Sequence, residues 1–89
     1  MQARLERLPA CGHVWVLRLY SGEADDHQPY EWCCTVVHRK RLAYLLGADK
    51  GLPPSGRDAT VQALKGAGVT TACWERWRNG VRRWVEFKI

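Results

Sequence analysis

The chain has no apolar run approaching ~20 residues, which excludes a membrane-spanning helix. Its first residues, MQARLERLPACGHVW, lack an apolar segment after the basic start, so they do not read as a signal peptide. None of the four cysteines (Cys11, Cys33, Cys34 and Cys73) forms a C-x2-C pair with another. Without a secretory signal, the expectation is a cytoplasmic protein with reduced thiols and no disulfide. Adjacent Cys33 and Cys34 point to opposite faces of a strand, which keeps them from bonding to one another. No glycine-rich phosphate loop, H-E-x-x-H helix or nucleophile elbow occurs. No thiol is marked as a low-pKa nucleophile, so Cys33 or Cys34 with His13 or His38 is not assigned as catalytic. The chain is therefore not expected to be an enzyme, and no cofactor is implied. Repeats and low-complexity segments are also lacking.

What remains is small and basic. Eighty-nine residues make one domain, residues 1–89, with room for one core. A hydrophobic share of 46% and a charged share of 26% match an ordinary globular chain. Net charge is +5, which favours polyanionic partners such as nucleic acid. Five tryptophans supply much of the available core volume.

Residues 1–8 read as a short helical turn or a lead into the sheet, interrupted by Pro9 and Gly12. Residues 13–20, HVWVLRLY, are apolar nearly throughout and read as a strand covered on both faces. Residues 30–38, YEWCCTVVH, are aromatic and β-branched, a second strand. Residues 39–48 place Leu42, Leu45 and Leu46 at helical spacing, which predicts a helix ended by Gly47. A second helix follows Pro53 and Pro54, with Ser55 as N-cap and Asp58 three residues on. It ends at Gly66 and Gly68. Asn79-Gly80 then marks a two-residue hairpin turn between alternating segments of residues 71–89.

The order is ββααββ, an α+β domain with a four-stranded antiparallel sheet and both helices on one face. The expected core is Trp15, Leu17, Leu19, Trp32, Val36, Leu42, Leu45, Leu46, Leu64, Trp74, Val85 and Phe87.

A two-residue turn fixes the register of the last hairpin: Arg76 faces Arg83, Trp77 faces Arg82 and Trp74 faces Val85. Trp74 then falls on the core face, while Trp77 and Trp84 fall on the outer face. The candidate binding residues are Arg76, Trp77, Arg78, Arg82, Arg83 and Trp84, with Arg39, Lys40 and Arg41 as a further basic group. Guanidinium forks pair with phosphate and indoles stack on unpaired bases, so nucleic acid is one partner class. Tryptophan and arginine also dominate protein-binding hot spots. The alternative is therefore a protein-interaction or regulatory accessory module, of the kind phages and mobile elements encode. A third reading makes the same residues cross-strand pairs that merely stabilise the hairpin. A homodimer through an exposed strand edge or the tryptophan-bearing face is a further option.

Two weaker constellations complete the survey. Cys11, His13, Cys34 and His38 have zinc-ligand chemistry, but C-x-H and C-x3-H spacing lacks a knuckle, so no metal is expected. Glu23, Asp25, Asp26 and His27 are too irregularly spaced for a calcium loop and read as a solvated loop.

Overall fold

A computed structural model describes residues 1–22, 29–48 and 50–89. The acidic group Glu23, Asp25, Asp26 with His27 lies outside the described residues. The elements run β1 (Gln2–Leu8), β2 (Cys11–Tyr20), β3 (Trp32–Arg39), β4 (Leu42–Leu46), α1 (Pro54–Gly66), β5 (Thr71–Arg78) and β6 (Val81–Lys88). All six strands form one sheet in chain order. Neighbours pair antiparallel except β4 and β5, which are parallel. A parallel pair needs a crossover, and α1 supplies it.

This corrects the expected ββααββ order, with four strands and two helices: the sheet has six strands and the described residues hold one helix. The architecture is mostly β, not a two-helix α+β sandwich. The first error lies at residues 39–48. Arg39 pairs with Leu42, and Lys40 takes a positive φ of 54°, so Lys40 and Arg41 form a tight turn that returns the chain as β4. Leucines at 42, 45 and 46 suit a helical period, but Ala43 and Leu45 also alternate with Leu42, Tyr44 and Leu46. Pairing with β3 on one side and β5 on the other decides for the strand. Leu42 and Leu46 therefore leave the expected core and sit half-buried on the opposite face.

The second error lies at the start of the chain. Residues 2–8 extend along β2 instead of coiling, with Ala3 opposite Leu19 and Leu5 opposite Leu17. Both apolar residues pack against the core, while Arg4 and Glu6 turn to the other face with Arg18. Nor is β2 covered on both faces: Trp15, Leu17 and Leu19 are buried, and Val14, Val16 and Arg18 between them are only half-buried. Helix α1 shields one face alone.

The core lies between that face and α1. It joins Trp15, Leu17, Leu19, Trp32, Cys34, Val36, Ala43, Leu45, Leu64, Val69 and Ala72, with Trp74, Phe87 and Ile89 packed at its margin. Helix α1 begins with Pro54 at its first position and Pro53 as N-cap, with no side-chain cap. Ser55 is thus inside the helix and not the cap that its spacing to Asp58 suggests. Proline at the first position has no N–H to satisfy, and the Gly56 N–H donates to the Pro53 carbonyl at 2.9 Å in place of a side-chain cap.

Gly56 is buried where α1 meets β1 and β2. A Cβ there would stand 2.5 Å from Leu19 Cδ1 and 2.9 Å from Met1 Sδ. Leu19 is fully buried and has nowhere to move. In an open helix Gly→Ala gains roughly 1 kcal/mol. Here overpacking reverses the sign, and Gly56→Ala is expected to destabilise by about 1–3 kcal/mol. A urea midpoint higher than that of the parent would contradict this close helix–sheet approach.

Candidate nucleic-acid interface

The sheet is not flush at its upper end. Pairing of β4 with β5 stops at Leu45–Trp74, but β5 and β6 stay paired out to Arg78–Val81. The last hairpin therefore overhangs the sheet as a two-stranded ribbon. It turns at Asn79 and Gly80, both at positive φ (53° and 76°), the combination that a type I′ turn requires. The register is the one alternation implies, with Arg76 opposite Arg83 and Trp77 opposite Arg82.

Each face of the ribbon has its own chemistry. On the face continuous with the core, Trp74 and Phe87 rings meet at 4.3 Å, and beyond them come Arg76, Arg83 and Arg78. None of these three arginines has an ion pair among the described residues. On the outer face, Trp77 is 64% exposed and Trp84 45% exposed. Trp84 meets the edge of Tyr44 at 5.6 Å, and Arg82 lies over its ring at 5.3 Å. Trp84 is thus partly committed to the hairpin itself, as the cross-strand stabilising reading holds. No ring or cation partner engages Trp77 among the described residues, which leaves its indole open.

Among the described residues lining this region the acid is Glu75, and it is occupied. One carboxylate oxygen accepts the Gly47 N–H at 2.8 Å; the other pairs with Arg82 at 3.4 Å. The first bond holds the β4–α1 connection against β5. A second bond anchors the same connection to the core, where the indole N–H of buried Trp32 donates to the Lys50 carbonyl at 2.9 Å. Between this connection, the start of α1 and β5 lies a groove of about 540 Å³. Lys50, Arg57, Arg76, Trp74, Glu75 and Trp77 line it among others, and the Arg57 guanidinium sits 5.9 Å over the Trp74 ring.

The structure brings Arg76, Trp77, Arg78, Arg82, Arg83 and Trp84 together on the ribbon. It places Arg39, Lys40 and Arg41 elsewhere. The Arg41 carbonyl accepts from Thr70 and Thr71 N–H at 2.8 and 3.2 Å, at the start of β5. The ribbon tip lies beyond the other end of that strand, so the two basic groups sit at opposite ends of the sheet. Lys50 and Arg57 were not among the residues singled out from the sequence. Their signal emerges only from the parallel β4–α1–β5 unit, whose strands' carboxyl ends open a crevice at the helix start.

The four zinc-like residues do not converge. Cys11 is exposed and Cys34 buried, while His38 stacks on Trp15 at 4.3 Å. Among the described residues no group of three or more His, Cys, Asp or Glu is placed to hold a metal ion. Burial, with a smaller contribution from Cys33, pushes the Cys34 thiol up to about 12, the opposite of an activated nucleophile. No described helix is long and apolar enough to cross a membrane. Compared with protein-family models, curated proteins and solved structures, the chain matches none.

Proposed function

We propose that this chain is a binding module that contacts nucleic acid through the overhanging ribbon, with little sequence preference. The observation that carries the reading is the direct opposition of Arg76 and Arg83, flanked by Arg78. Like charges placed opposite one another on a sheet destabilise it. A polyanion that bridges them would turn this cost into binding energy. On the other face of the ribbon, the open Trp77 ring opposite Arg82 supplies a stacking surface for an unpaired base, and such a contact is worth roughly 1–3 kcal/mol.

Titration of the tryptophan emission with short oligonucleotides in low salt tests this directly. Saturable quenching at micromolar protein is the expected result. No change in emission with either single strands or duplex would remove nucleic acid as the partner. In that case the same exposed tryptophans and arginines favour a protein partner, captured from lysate in a nuclease-resistant and Trp77-dependent manner.

A further inference from the structure

We infer that the groove between the β4–α1 connection and β5 seats one unpaired nucleotide, with its phosphate held by Lys50, Arg57 and Arg76 and its base laid on Trp77. This rests on the proposed nucleic-acid reading and adds a preference for single strands. The groove's volume, about 540 Å³, falls in the range of small-ligand sites. Among the described residues three cations line it, and the one acid, Glu75, has both oxygens engaged by Gly47 and Arg82. Among the described lining residues the balance is therefore cationic.

Geometry favours a nucleotide over a bare phosphate. Arg76 and Trp77 are successive residues of a strand, so their side chains leave it on opposite sides. Both nevertheless line the groove, because β4 has ended there and β5 presents its edge to it. A ligand in the groove thus meets cations on the α1 side and an indole toward the outer face. An anionic group joined to a flat ring by a short spacer matches this layout. The connection carrying Lys50 is tied down by the Trp32 and Glu75 bonds, so little ordering remains to be done on binding. A base-paired nucleotide cannot enter, because its ring is stacked within the duplex.

The test compares Lys50→Gln and Arg57→Gln with the parent, using labelled oligothymidylate of about eight residues and a duplex of about a dozen base pairs. In about 50 mM salt a whole phosphate contact on a single strand is worth roughly eightfold, so removing one of the three cations that share this phosphate should weaken binding about three- to eightfold. The expected result is that loss for oligothymidylate in each variant, with duplex affinity lowered less than about twofold. Lys50 is exposed and its carbonyl, which the substitution keeps, makes the bond to Trp32, so Lys50→Gln reports on the ligand even if Arg57→Gln loosens the helix start. Equal losses on both probes would reduce the effect to general charge and overturn the groove. Unchanged affinity for both probes would also overturn it, while leaving the ribbon in place. Failure of the parent to bind either probe would bring down the ribbon reading and the groove together.

Discussion

Trp32→Ala is expected to lower the free energy of unfolding by about 3–5 kcal/mol, a large share of the stability of so small a domain. Trp32 is 4% exposed and faces Leu19 across the β2–β3 ladder. Its removal opens a large void at the end of the core that lies under the β4–α1 connection. The void joins a small apolar cavity of about 40 Å³ already lined by Trp32, Cys34, Leu45 and Leu52, so neighbouring side chains are poorly placed to fill it. The indole bond to the Lys50 carbonyl is lost as well. Trp32→Phe separates the two contributions, because it keeps most of the ring and removes the donor. It should cost about 1 kcal/mol for the bond, plus the difference in ring volume. Urea unfolding of both variants checks this. A Trp32→Ala variant within 1 kcal/mol of the parent, an outcome outside the range for buried tryptophans, would mean that the core does not extend to this end of the sheet.

Replacing Arg76, Arg78, Arg82 and Arg83 together with alanine should reduce affinity for single-stranded nucleic acid on the order of a hundredfold at about 0.1 M salt. With about three to four phosphate contacts, the parent's log K should fall with log salt at a slope of roughly −2 to −3. A fourfold rise in salt then weakens binding roughly 20- to 50-fold, and the variant's slope should flatten to roughly −0.7, the one phosphate contact that Lys50 and Arg57 can still make. Stability gives a second, independent sign. The Arg76–Arg83 opposition disappears in the variant, while the exposed Arg82–Glu75 pair contributes little. The melting temperature should therefore hold or rise. A variant that keeps its affinity and slope would show that phosphates are contacted elsewhere, and the Arg39–Arg41 turn would be the next group to test. A variant that melts well below the parent would instead identify the arginines as structural supports of the hairpin.

Legibility along the chain follows the range of the interactions involved. The last hairpin could be read in full because its turn chemistry is local: Asn79 and Gly80 tolerate positive φ, and a two-residue loop then dictates every facing pair down to Thr71 and Lys88. The exposure of Trp77 followed from alternation alone. The stretch at residues 39–48 could not be settled that way, since three leucines fit a helix and two inward residues fit a strand. Tertiary pairing with β3 and β5 decided it, as it commonly does for short apolar runs. The first strand was hidden for the same reason. Arg4, Glu6 and Arg7 among Leu5 and Leu8 give no strong period, and the edge of β2 supplies the missing reason to extend.

Local pattern was enough for the basic charge balance, the β5–β6 ribbon with its register, and the clustering of four arginines and two outward indoles around one turn. Those properties depend on composition and on contacts only a few residues apart. Tertiary structure alone decided the six-stranded mixed sheet, the separation of Arg39–Arg41 from the ribbon, and the groove that brings Lys50 and Arg57 to Arg76 and Trp77. Each of these depends on where β4 stops beside β5. That end point is set by a parallel pairing between segments nearly thirty residues apart (Leu42 with Thr71), which no local pattern encodes.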